Sequence, residues 1–143
     1  LYSAGEIGAR ESRMIIGEYV LNEMDLKDCT KFEDGIAAGN YDIDIHSPDG
    51  SGTSHYYFPE GTWYTIPYRC LQPKNASNLL VAGRCISTTH EAQASVRIMP
   101  IVTTLGEAAG VAVALASKAG VDVKHVDVKA LREQLTREGA FVG

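Results

Sequence analysis

The stretch from Ile98 to Ala119 constrains the fold more than any other part of the chain, because only Glu107 and Lys118 are charged in it. Glu107 leaves charge-free runs of nine residues (98–106) and ten (108–117). About 18 are needed to span a bilayer, and a central acid makes insertion costly. The stretch is therefore expected to be a buried helix with no membrane partner. Pro100 suits its first turn and Gly120 its stop. Gly106, Ala109, Gly110 and Ala112 would leave it thin along one side, for close packing on a sheet.

What precedes this helix completes a pattern. Asn78-Leu79-Leu80-Val81-Ala82-Gly83 is a short continuous apolar run ending in glycine, which suits a central parallel strand buried on both faces. A loop from Arg84 to Arg97 leads to the helix, so strand, loop and helix make half of a βαβ unit. In an open parallel sheet, ligands bind at the carboxyl ends of strands. Gly83 would allow close approach to the backbone. Free N–H groups around Ile98 to Ile101 would favour an anion or an electron-rich carbonyl.

The first half reads as mixed structure. Arg13 to Val20 is expected to be a strand, Asn22 to cap a short helix through Asp25 and Asp28, and Lys31 to Ala38 to form a second short helix ending at Gly39. Tyr41 to His46 alternates, with Tyr41, Ile43 and Ile45 on one face and Asp42, Asp44 and His46 on the other. After the turn residues Ser47 to Ser54, Trp63 to Leu71 is expected to return as its antiparallel partner, with Pro67 marking an edge or bulge. At the far end, Val121 to Val126 is a linker with strand character, Asp127 an N-cap, and Val128 to Glu138 an amphipathic helix.

The chain has 13 Lys plus Arg against 18 Asp plus Glu, a formal net charge of −5. No basic stripe exists to neutralise phosphates, which excludes nucleic acid as a partner. Cys29, Cys70 and Cys85 lie 41 and 15 residues apart with no C-x-x-C, so neither a disulfide framework nor a zinc knuckle is expected, and a reducing cytoplasm fits. The chain opens Leu1-Tyr2-Ser3, without Met or a signal-peptide pattern, so it reads as a piece of a longer protein.

Several ordered motifs then coincide. Leu80-Val81-Ala82-Gly83-Arg84-Cys85-Ile86-Ser87-Thr88-Thr89-His90-Glu91-Ala92, Ser95-Val96-Arg97-Ile98-Met99-Pro100 and Leu105-Gly106-Glu107-Ala108-Ala109-Gly110-Val111-Ala112 resemble the C-terminal portion of FAD-dependent oxidoreductases with a glutathione-reductase-like flavin domain. Gly8-Ala9-Arg10-Glu11-Ser12-Arg13 with Gly17-Glu18-Tyr19, Tyr41 to His46, and Ile66-Pro67-Tyr68-Arg69-Cys70-Leu71 are also similar to segments of that family. The resemblance implies an α/β fold: the C-terminal part of a Rossmann-like FAD domain (78–143) plus an antiparallel substrate-side segment (1–77). It further implies that Leu79 to Gly83 is the last strand of the flavin domain, that Gly83 and Arg84 lie beside the FAD ribityl or diphosphate, and that N–H groups near Arg97, Ile98 and Met99 face the flavin pyrimidine. A helix N-terminus there would stabilise the negative charge of a reduced flavin. The G-x-G-x-x-G fingerprint is absent, since Gly5, Gly8 and Gly17 lack its spacing. The ADP half of FAD is therefore expected to be held by an N-terminal remainder of the same polypeptide, and this chain by itself to bind FAD poorly and to be inactive.

Hydride transfer between a small-molecule substrate and flavin is the activity that the resemblance implies. His90 is the candidate acid or base, against a loop histidine bonded to a backbone carbonyl. Arg69 is a candidate carboxylate clamp with Tyr68 donating a hydrogen bond, against a structural ion pair. Arg97 would meet the flavin or a substrate anion, and His46 is a minor active-site candidate. Arg10 and Arg13 read as structural. A metal on Asp42, Asp44 and His46 is disfavoured against a solvated strand edge, and a Cys85 thiol nucleophile against a small residue beneath the cofactor loop. The competing class is a non-catalytic α/β module that binds a phosphate-containing ligand or a partner chain at the same strand-to-helix site.

Overall fold

The computed structural model of the protein describes residues 11, 13–47 and 49–143. The opening segment through Arg10, together with Ser12 and Pro48, lies outside the described residues. Asn22 opens the first helix, α1 (Glu23–Lys27), with a complete capping box. Its Oδ1 accepts the Met24 and Asp25 N–H groups at 2.9 and 3.2 Å, and Asp25 accepts the Asn22 N–H in return at 3.1 Å. The segment before it is not the expected strand. Gly17 and Leu21 make single bridges to Pro73 and Thr88, and the chain threads between 69–74 and 85–89. Gly17 is required there by close approach: a Cβ would stand 2.7 Å from Ser87 Cβ.

Lys31 to Ala38 is not a helix. Gly35–Gly39 forms strand β1, because long-range pairing with Tyr64–Pro67 (β4) overrides the local preference of an Ala-Ala pair. Ile43–His46 (β2) does not pair with β4 as expected. It pairs with Thr53–Tyr56 (β3), joined by a tight turn in which Ser47 N–H donates to Gly52 O at 2.9 Å. The turn residues were legible and the strand immediately after them was not. Tyr68–Leu71, expected as extended, is a 3-10 turn following Pro67. Among the described residues the result is two two-stranded antiparallel sheets mixed with helices, an α+β arrangement.

Residues 78–83 are not a strand. Val81 N–H donates to Leu71 O at 2.9 Å, no ladder forms among the described residues, and Leu79 is exposed. An apolar run becomes a strand only where a neighbouring strand satisfies its backbone. The expected loop after it contains a helix, α2 (His90–Val96), capped by the Thr89 hydroxyl. Helix α3 (Met99–Ala119) has Pro100 in its first turn and ends at Gly120 in the left-handed region, as expected.

Ile101, Leu105, Ala108, Ala112 and Ala116 are its buried stripe, packed on β1 and on α4 (Val128–Arg137). Gly106 and Gly110 are not packing glycines, because nothing stands within 4 Å of where their Cβ atoms would be. The expected buried helix is buried along that stripe alone: by length and composition α3 is long and apolar enough to cross a membrane, and only 28% of its apolar window is covered, by β1 and α4 among other contacts. Asp127 caps α4 through its Oδ1, and Leu131 and Leu135 are its buried residues. The linker before it makes a 3-10 turn (Val123–His125) and no strand. Leu21, Leu26, Ile36, Ile66, Leu71, Ile86 and Leu105 join these in one core, each contributing about 1.5–3 kcal/mol of burial.

Candidate active site around His90 and Arg97

Helix α2 carries the two residues of most interest at its two ends. His90 stands in the first turn, and Arg97 is the C-cap. Together with Glu11, Asp44, Ile45 and His46 they line a cavity of about 360 Å³. Arg97 reaches across to β2, where its Nη2 donates to the Asp44 carboxylate at 2.5 Å and to Asp44 O at 3.2 Å. Both side chains are nearly buried, at 13% and 12% exposure. On the other side, His90 Nδ1 lies 2.6 Å from Glu11 Oε2. His46 Nε2 is 3.7 Å from Asp44, and its Nδ1 meets the Thr53 hydroxyl at 3.1 Å. Asp44 and His46 share a strand face as the alternation predicts, but Ile45 lines the same cavity and Asp42 lines another, and Asp44 is buried and not solvated. The Asp44 carboxylate is engaged by a guanidinium, and among the described residues no three His, Cys, Asp or Glu side chains converge as metal ligands.

Immediately after Arg97, Ile98 is the N-cap of α3 and supplies no side-chain cap. Helix starts leave four N–H groups without an intrahelical partner. Here Pro100 removes one of them. This end of α3 lines a second cavity of about 550 Å³ with Gly39, Asp42, Tyr57 and Phe58. Met99 projects outward, 82% exposed. Gly83 has φ +104, a conformation that glycine adopts without strain, with open space where a Cβ would stand. Arg84 is exposed. Gly83 and Arg84 line neither of these two cavities.

Arg69 and Tyr68 lie elsewhere, along a cavity shared with Lys31, Asp34 and Lys124. Arg69 grips Asp34 through Nε at 2.9 Å and Nη2 at 3.2 Å, and its guanidinium lies 5.0 Å from the Tyr19 ring centroid. The fork that would clamp a substrate carboxylate is closed on Asp34. Tyr68 is buried, and its hydroxyl donates to Val123 O at 2.8 Å. Burial raises its phenol from the usual 10 to about 12. A folded value above the unfolded one means that this stability is complete below pH 10 and is lost as pH rises towards 12. Tyr68→Phe is accordingly expected to flatten the alkaline fall in urea-unfolding stability, and an unchanged slope would refute the assignment. Cys70 is also buried, its thiol pushed up to about 12, chiefly by desolvation, which leaves it inert as a nucleophile. Cys85 Sγ rests 3.8 Å from Ala82 O.

Glu11 and Asp44 are the partners that residue-by-residue reading did not assign. Nothing local announces that residue 11 meets residue 90 or that residue 44 meets residue 97. The strict alternation around Asp44 was the one available signal.

A sequence model of the family described as FAD dependent oxidoreductase matches residues 2–135. The chain belongs to that family. Neither the curated proteins nor the solved structures yield a match. Membership makes FAD the cofactor of this oxidoreductase-family chain, and one feature of the fold fits such a group: the α3 N-terminus without a side-chain cap.

Proposed function

We propose that the protein transfers a hydride between a small-molecule substrate and FAD, and that this chain is the C-terminal part of a flavin enzyme. The observation that carries the reading is the pairing of His90 and Arg97 on one cavity, with the uncapped α3 N-terminus beginning at the next residue. FAD, when bound, supplies a two-electron acceptor. The N–H groups around Ile98 and Met99 would hold its electron-rich pyrimidine edge, where the α3 dipole favours the negative charge of the reduced ring. Gly83 and Arg84 would lie against the ribityl chain or diphosphate, the glycine admitting it and the guanidinium neutralising it. Substrate would occupy the His90–Arg97 cavity, with Arg97 held in place by Asp44.

In this reading the N-terminal remainder of the polypeptide supplies the rest of the flavin domain. It would lay a strand beside residues 79–83 and convert that run into the last strand of a parallel sheet, as in a glutathione-reductase-like flavin domain. The bare face of α3 around Gly106 and Gly110 is available for the same contact.

The test is an absorption spectrum of the purified intact protein before and after dithionite. A flavin band that bleaches on reduction is the expected result. A colourless protein that also fails to take up added FAD would end the proposal and favour the binding-module alternative.

A further inference from the structure

The His90–Arg97 cavity carries more detail than a location, and this inference rests on the reading of it as the substrate site. From the Glu11–His90 geometry we infer that His90 is a proton acceptor for a neutral, hydroxyl-bearing substrate, and that Glu11 is the residue positioning it. A carboxylate accepts hydrogen bonds and does not donate them. With Glu11 Oε2 2.6 Å from Nδ1, the ring proton must sit on Nδ1. In the neutral imidazole this leaves Nε2 with its lone pair, and among the described residues Nε2 makes no hydrogen bond. Nε2 is therefore the atom able to take a proton from a ligand, and the imidazolium that results is stabilised by the carboxylate behind it.

The charges around the cavity select the ligand. Glu11 and Asp44 outweigh Arg97, Arg97 is already paired with Asp44, and Glu91 adds a further acid beside His90. His46 is the remaining titratable group on the wall. A carboxylate substrate would enter a region that already carries more negative than positive charge, with its one guanidinium engaged. A neutral alcohol meets no such opposition. In the reaction the substrate O–H bond breaks and an Nε2–H bond forms. The carbinol C–H bond breaks as carbon becomes carbonyl, and its electron pair and hydrogen pass to oxidised flavin, the acceptor that family membership provides.

The decisive measurement is the ¹⁵N spectrum of the His90 ring in the intact, labelled protein, at a pH where the imidazole is neutral. Protonated Nδ1 and bare Nε2 are expected in the wild type, with a return towards the Nε2–H form of free imidazole in Glu11→Ala. A wild-type ring protonated on Nε2 overturns the proposal even if Glu11→Ala does not fold. In turnover followed by flavin bleaching, His90→Gln is expected to lower kcat at least 100-fold, Glu11→Ala at least 10-fold, and the double variant no further than His90→Gln, because Glu11 acts only through His90. Additive losses would overturn that relation. Glycerol and glycerate differ by one carboxylate, and glycerol is expected to bleach the flavin faster; the reverse order overturns the substrate class. With neither probe turned over, the tautomer alone decides. A protein without flavin defeats the proposed function and leaves the tautomer result standing.

Discussion

Replacing Arg97 with methionine is expected to lower the unfolding free energy by about 3 kcal/mol, the scale on which breaking one half of a buried ion pair destabilises proteins. The guanidinium holds the Asp44 carboxylate at 2.5 Å and the Asp44 carbonyl at 3.2 Å, and its Nε donates to Ala94 O at 3.3 Å at the end of α2. One side chain thereby ties β2 to α2. In Arg97→Met the methylene stem still packs, but Asp44 is left as a nearly buried charge without its partner. The double variant Arg97→Met with Asp44→Asn removes both charges and is expected to recover part of the loss. Urea unfolding of the wild type and the two variants checks this. A single-variant loss below about 1 kcal/mol would place the pair with weak surface ion pairs, and the cavity wall would then owe little to it.

Tyr64→Ala is expected to be the other severe change, at about 4 kcal/mol, within the range for emptying a fully buried aromatic site. Tyr64 is 0% exposed and its ring lies 5.5 Å from that of Phe58. Ser95 Oγ donates its one proton to Tyr41 O at 2.5 Å, so the Tyr64 hydroxyl donates to Ser95 at 2.6 Å. This relay joins β4, α2 and the residue leading into β2; α2 and β2 line the His90–Arg97 cavity, and Tyr41 lines the second one. Burial pushes the phenol well above its usual range, so it stays protonated and remains a donor. Tyr64→Phe keeps the ring and loses only the relay, at about 1 kcal/mol. Thermal and urea unfolding of the two variants separate these contributions. Equal losses would mean that the hydroxyl relay, and not the ring, holds this region together.

The sequence by itself was sufficient wherever the deciding contacts are local. The Asn22 capping box, the Gly120 stop of α3, the Asp127 cap of α4 and the Asp44–His46 alternation each depend on residues within a few positions of one another. The family was also legible, because its motifs run in order along nearly the whole chain, and the match over residues 2–135 agrees. His90 and Arg97 could be singled out for the same reason. Their cavity could not be, since it is closed by Glu11 and Asp44, 79 and 53 residues away.

Tertiary structure decided everything that depends on a distant partner. Gly35–Gly39 became a strand because β4 lies beside it, at a distance too close for a side chain on Gly35: a Cβ there would meet Thr65 Cβ at 2.9 Å. Arg69 had the chemistry of a clamp, and Asp34 took its donors. Residues 79–83 have the apolarity of a central strand and remain without a ladder, because backbone N–H and C=O groups form sheet only when another strand is alongside them. Capping and periodicity are properties of a segment, whereas pairing, burial and charge compensation are properties of what the fold brings next to it.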